Sequence, residues 1–289
     1  MTKSIRPRRS ALYMPGSNQR ALDKARELPV DVVIMDLEDS VAPEAKELAR
    51  ANVIAAIAAG GYEHREVIVR INGYGTPWWK DDLVAVAKSG ANALLAPKIS
   101  GADLLSKLGD LLAINGAPDE MRLWAMAETP EAIIKINSIA NADPRLEVLV
   151  IGTSDLAKEL RIPPDPDRIG LLPALTASIL AARAHGLDIL DGVFGDLVDA
   201  DGFIRSCEQG RKLGFDGKTL IHPGQIEVAN RVFGVSATDV AAATEIIKAW
   251  EAAVAKGSGI AVVNGRMIEN LHAEEARRVL ELNAAIAGS

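Results

Sequence analysis

A TIM (β/α)8 barrel, an α/β fold, is the architecture the sequence predicts, and three observations predict it. Short apolar runs alternate with amphipathic stretches over about 225 residues, close to the ~250 that such barrels use. Nearly all the runs are continuous rather than alternating, as strands buried on both faces of a parallel sheet require. The residues that follow the runs are repeatedly ionisable, at the strand ends where a barrel carries its chemistry. A doubly wound sheet is the competing fold. It would carry a glycine-rich turn after the first strand, and Pro15-Gly16-Ser17-Asn18 is not G-x-G-x-x-G. No P-loop signature occurs.

The eight expected strands are Ser10–Met14, Val32–Met35, Val67–Ile71, Ala93–Ala96, Leu123–Ala127, Val148–Ile151, Leu187–Leu190 and Thr219–Ile221. Between them, helical spacing of apolar residues predicts helices over Asn18–Glu27, Pro43–Ala59, Asp81–Ser89, Leu104–Leu112, Pro130–Ile139, Leu171–His185 and Phe203–Leu213. Residues 1–234 are thereby assigned to the barrel and 235–289 to a C-terminal helical/hairpin lid extension. The extension reads as a helix over Thr238–Lys256, a short strand over Ile260–Val263 turning at Asn264-Gly265, and a helix over His272–Ala287. It holds too little apolar surface for an independent domain, so it should pack on its own barrel or on a neighbouring subunit.

Composition narrows the function. With 32 basic against 39 acidic residues the net charge is −7, and only 4% of residues are aromatic. Neither a basic footprint nor a base-stacking platform is available for nucleic acid. The lone Cys207 rules out a disulfide framework and a thiolate zinc cluster. No stretch suits a secretory core or a membrane span, so a cytoplasmic protein is expected. The basic start, with Lys3, Arg6, Arg8 and Arg9, reads as a solvated tail.

At the expected strand ends stand Asp36, Glu38 and Asp39, then Arg70 and Asn72, Lys98, Glu128, Asp155, Asp191 and His222. Several acids converging with few bases need protons or a cation. Oxygen ligands without a His or Cys set point to Mg²⁺, and Glu128 with Asp155 are the expected ligands. For Asp155 alone, capping of the next helix is the simpler role. Arg70 has two readings of equal weight: a salt bridge to Asp36 or Glu38, or a hold on a substrate carboxylate. Lys98 reads as an ion-pair partner, His222 as a hydrogen-bonded rim residue, Trp78-Trp79 as packing and Cys207 as core.

Arg9-Ser-Ala-Leu-Tyr-Met-Pro-Gly16, Asp36-Leu-Glu-Asp-Ser-Val41, Val69-Arg-Ile-Asn72, Ala127-Glu-Thr-Pro130, Gly152-Thr-Ser-Asp-Leu156 and Ile221-His-Pro223 together resemble the citrate lyase β-subunit-like family. That family lies in the aldolase/citrate lyase superfamily with the malyl-CoA and citramalyl-CoA lyases, and the likeness spans nearly the whole chain. It implies Mg²⁺-dependent cleavage or formation of a carbon–carbon bond in a β-hydroxyacyl-CoA, giving acetyl- or propionyl-CoA and a 2-oxo acid. By position, Glu128 and Asp155 match the family's metal ligands and Arg70 its carboxylate-holding arginine. Glu128 thereby also borders the substrate. Asp36, Glu38 and Asp39 match an acidic motif that orients water on the metal, which enters Asp36 among the catalytic groups. Pro15, Gly16, Arg20 and Lys24 match the region that meets the phosphates of coenzyme A. Gly265-Arg-Met-Ile-Glu269 resembles a lid motif whose last acid, usually Asp, transfers a proton in a neighbouring subunit's site; here it is Glu269. A homo-oligomer, trimer or hexamer, is implied. The alternatives are a citrate lyase β subunit acting on a protein-carried citryl group, a malyl-CoA thioesterase, and a non-catalytic CoA-binding protein.

Overall fold

The computed structural model describes residues 5–288. Eight parallel strands pair in sequence order and close on themselves, β8 against β1, which settles the barrel against the doubly wound sheet. They are β1 (Ser10–Pro15), β2 (Val32–Asp36), β3 (Glu66–Arg70), β4 (Ala93–Ala96), β5 (Arg122–Ala127), β6 (Leu146–Ile151), β7 (Asp188–Asp191) and β8 (Gly217–Leu220). Around them run α1 (Gln19–Lys24), α2 (Lys46–Ala59), α3 (Trp79–Ala87), α4 (Ala102–Ile114), α5 (Pro130–Ile134), α6 (Ile136–Ala140), α7 (Thr153–Glu159), α8 (Leu172–Ala184), α9 (Ala200–Leu213) and α10 (Ile226–Phe233). The α7 helix was expected only as the one Asp155 would cap, and α10 was not anticipated. The first opens inside the Gly152-Thr-Ser-Asp motif, and the second follows a one-turn helix begun by Pro223.

Register decides which side chains meet. Pro15 pairs with Asp36 and Asp36 with Arg70, so three strand ends align on one level. Ala127 pairs with Ile151, which sets Glu128 beside Gly152. The lumen is filled from alternate positions, among them Tyr13, Ile34, Ile68, Leu95, Trp124 and Val150, while a larger apolar layer joins strands to helices.

The basic start is not a solvated tail where it enters the barrel. Arg8 is buried at the N-terminal ends of the strands, donating to Glu66 at 2.7 and 2.9 Å and to Asp188, with Glu147 at 3.1 Å. Its guanidinium lies 5.4 Å from the ring centre of Trp124, itself fully buried in the lumen. Arg9 forks onto Asp31 at 2.7 and 2.8 Å. Lys3 lies outside the described residues.

Arg8–Phe233 is one compact unit, and residues 234–288 belong to a second. The second is built from α11 (Ala237–Val254), a hairpin of β9 (Ala261–Val263) and β10 (Arg266–Ile268), and α12 (Asn270–Ala287). Its apolar centre is Trp250, Ala261, Ile268 and Ala273. Ser236 and Asp239 form a capping box that starts α11. Asn264 and Gly265 turn the hairpin with φ of +49° and +75°, the left-handed pair a two-residue turn of this kind needs.

Candidate active site

At the end of β5, Glu128 is almost fully buried, and its Oε1 accepts a 2.7 Å hydrogen bond from the Lys98 backbone N–H. That N–H is aimed by an unusual backbone: Lys98, after Pro97, has φ +52°. Its Nζ turns the other way and donates to Glu38 Oε1 at 2.7 Å. Lys98 is therefore the ion-pair partner expected, and in addition a backbone anchor for Glu128. The other side of Glu128 rests on Gly152. A Cβ there would lie 2.4 Å from Glu128 Cβ and 2.7 Å from Oε2, so only glycine leaves the carboxylate its place. One turn on, Asp155 is half-buried in the first turn of α7, and its charge reaches Glu128. Burial, reinforced by Glu38 and Asp155, pushes the Glu128 carboxyl up to about 8 despite the Lys98 N–H.

Across the rim, the salt-bridge reading of Arg70 is realised. Its Nε and Nη2 fork onto Asp36 at 2.6 and 2.7 Å, leaving Nη1, which stands 3.3 Å from Glu38 Oε2 and 3.6 Å from Asp39. Asp36 is wholly buried and spent on this pairing. Its oxygens also accept from the Glu38 and Ser40 backbone N–H groups and from Ser40 Oγ. Burial alone would raise its pKa, but Arg70 and Ser40 outweigh that and hold it below the usual range. Asp36 thus has no free face for proton transfer; it fixes the guanidinium. Lys46, which sequence reasoning passed over, donates to the carbonyls of Leu37 and Glu38 at 2.8 and 2.7 Å and pins the acidic turn.

Pro15 and Gly16 end β1 on the same level, and Arg20 and Lys24 are exposed on α1 one turn apart. Gly16 packs so closely that a Cβ would lie 2.8 Å from the Asp36 carbonyl oxygen. His222 is exposed and accepts from the Gly224 N–H at 3.0 Å, the hydrogen-bonded role expected. Trp79 opens α3 and leans on Tyr74, ring centres 4.6 Å apart, and Cys207 is fully buried. Asp191 departs from expectation. It does not join the rim acids: Lys218 at 2.7 Å and Arg168 at 2.7 Å neutralise it beside Gly210 of α9, between sheet and helix. Glu269 belongs to the second unit, just before α12, where its N–H donates to His272 Nδ1 at 3.1 Å.

Among the described residues no three His, Cys, Asp or Glu side chains gather closely enough to hold an ion alone. The donor set nevertheless fits Mg²⁺. That ion takes one or two protein carboxylates and completes its shell with water or substrate oxygens. Buried Glu128 and nearby Asp155 are two such carboxylates, with a mutual repulsion that a divalent cation relieves.

A closed barrel that brings paired carboxylates and a clamped arginine to one rim is the framework of a carbon–carbon lyase, and comparison with known proteins bears this out. The chain belongs to the HpcH/HpaI aldolase/citrate lyase family, which matches residues 9–223, and a family described as C–C bond lyase of the TIM-barrel fold matches residues 164–287. A (3S)-malyl-CoA thioesterase of Cereibacter sphaeroides is 46% identical over 287 residues, 99% of this chain and 98% of that one. An L-malyl-CoA/beta-methylmalyl-CoA lyase of the same species is 33% identical over 299 residues, covering 95% of this chain and 94% of the relative. The structure of CitE from Mycobacterium tuberculosis, in complex with magnesium, acetoacetate and coenzyme A, superposes with a TM-score of 0.77 at 26% identity over 95% of this chain and 97% of that chain.

Proposed function

We propose that this protein acts with Mg²⁺ on the CoA thioester of a small β-hydroxy dicarboxylic acid such as malyl-CoA, and that it hydrolyses the thioester. The observation behind the substrate class is the rim itself: two buried or half-buried acids beside an arginine whose Nη1 is not spent on Asp36 and faces the rim acids Glu38 and Asp39. Hydrolysis is set ahead of carbon–carbon cleavage because a thioesterase relative reaches 46% identity, against 33% for a lyase. Cleavage to acetyl- or propionyl-CoA and a 2-oxo acid is the second reading, favoured by the family the chain belongs to.

In this reading Glu128 and Asp155 hold the cation, whose charge polarises the acyl group's oxygens and stabilises the negative charge that develops there. Arg70 Nη1 orients the distal carboxylate, and Asp36 is a positioning residue that keeps the guanidinium flat and facing it. Lys98 holds Glu128 and Glu38 apart from each other. Arg20 and Lys24 meet the phosphates of coenzyme A near the Pro15-Gly16 turn. Glu269, supplied by a neighbouring subunit as the resemblance implies, moves the proton: in hydrolysis from the attacking water to the departing sulfur, in cleavage from the β-hydroxyl to the carbon of the departing acyl-CoA. A homo-oligomer, trimer or hexamer, belongs to the same proposal, and mass measurement in solution tests it.

The deciding experiment gives purified protein malyl-CoA and Mg²⁺ and follows free thiol and 2-oxo acid separately. Thiol without glyoxylate is the expected result. Glyoxylate without thiol selects the second reading, and neither product from folded protein overturns both.

A further inference from the structure

Tyr13 stands in the lumen on β1, level with Ile34 and one lumen-facing step below the Pro15–Asp36–Arg70 level. Its ring lies under the guanidinium of Arg70, whose Cζ is 4.6 Å from the ring centre. The ring alone accounts for that contact, and phenylalanine would supply it. The hydroxyl is the unexplained part. It is buried, and it has no hydrogen-bond partner among the described residues. A buried hydroxyl without a partner costs about 1–3 kcal/mol, so such a group calls for a reason.

Its surroundings supply one. The hydroxyl feels the charges of Arg70, Asp36, Glu128 and Glu38, which are the groups of the rim site. Burial and the three carboxylates keep it protonated, with Arg70 opposing, so it stands ready to donate. Arg70 has spent Nε and Nη2 on Asp36, and one nitrogen cannot fork onto a carboxylate. A second donor is needed for the two-point hold that fixes an anion's orientation. It should add no charge to an arginine already neutralised by Asp36, and a phenol meets that condition.

We propose that the Tyr13 hydroxyl contacts the substrate directly, donating a hydrogen bond to the small carboxylate end that Arg70 Nη1 also faces. This rests on the reading that the rim takes a carboxylate-bearing acyl group. The test compares wild type with Tyr13→Phe, using L-malate with saturating Mg²⁺ as the calorimetric probe and thermal melting without cation as the control. Tyr13→Phe should weaken malate binding about tenfold, raise KM for malyl-CoA in the same proportion, and leave the cation-free melting temperature unchanged or higher. Equal malate affinity in the two proteins overturns the proposal while leaving the functional reading intact. A melting temperature several degrees lower in the variant assigns the hydroxyl to packing and also overturns it. No malate binding by wild type overturns the functional reading, and this proposal with it.

Discussion

Gly152 shows how a single hydrogen atom holds a site open. Its missing side chain is the space that Glu128 occupies, so Gly152→Ala must push the carboxylate off its Lys98 anchor. We expect folded protein by circular dichroism and a loss of at least ~100-fold in turnover, about 2.7 kcal/mol of barrel-rim chemistry. Glu128→Gln should reach the same activity by another route, leaving the backbone alone and removing the charge. Its signature is thermal: Mg²⁺ at a hundred times its dissociation constant stabilises a folded protein by about 2.7 kcal/mol, and the variant should show no such shift. Turnover or a Mg²⁺-induced melting shift retained in Glu128→Gln would remove Glu128 from the cation site.

At the level of elements, Asp191 ties β7 to β8 and to the segment before α8 through Lys218 and Arg168. Asp191→Asn leaves two cations without their partner inside the protein, at a cost of about 3–5 kcal/mol in urea unfolding. Burial raises the Asp191 pKa, but Lys218 and then Arg168 outweigh it and hold it below 3.8. A carboxyl depressed in the folded state lends stability above its unfolded pKa and loses it as pH falls through the folded one. The wild-type contribution should therefore hold from neutrality down to about pH 4 and decay below, and the variant should lack that part of the acid limb. In the second unit, Gly265→Ala places a Cβ at φ +75° and should cost the hairpin about 1 kcal/mol, seen as faster amide exchange across β9 and β10.

These elements also mark where the sequence was legible. Continuous apolar runs located all eight strands within two residues because burial on both faces keeps the strand centres apolar; β6 and β8 start two residues earlier than expected, across the charged Glu147 and Lys218. Helix starts were harder: α9 begins three residues early because Asp199 caps it from outside the apolar pattern, its carboxylate accepting from the Gly202 N–H at 2.8 Å. The rim residues Asp36, Arg70 and Glu128 were legible from the rule that strand ends carry chemistry. The same rule misplaced Asp191, because alternate residues of a strand face opposite sides and one position decides lumen or helix layer. The anchoring role of Lys98 depends on a backbone angle, and the orphaned Tyr13 hydroxyl on a side chain's reach; neither leaves a mark in composition or spacing.

For the molecule as a whole, the excess of seven negative charges has local meaning. Asp36 and Asp191 are answered by arginine or lysine, whereas the repulsion between Glu128 and Asp155 at the rim is what a bound cation would relieve. Glu269 is the test of how far the second unit takes part. Glu269→Gln should lower kcat by tenfold or more with KM near normal, and an unchanged kcat would remove proton transfer from it.

The Arg8 cluster has a kinetic consequence. With Arg8 and its acids closing the N-terminal ends of the strands and Trp124 buried in the lumen, nothing held at Arg70 has a way through the barrel. On the proposed reading, a product left against Arg70 must leave by the rim, past any coenzyme A fragment still bound there. Its departure would then follow that fragment's, and weakening the hold at Arg70 would not by itself hasten the escape of a molecule still covered by its neighbour.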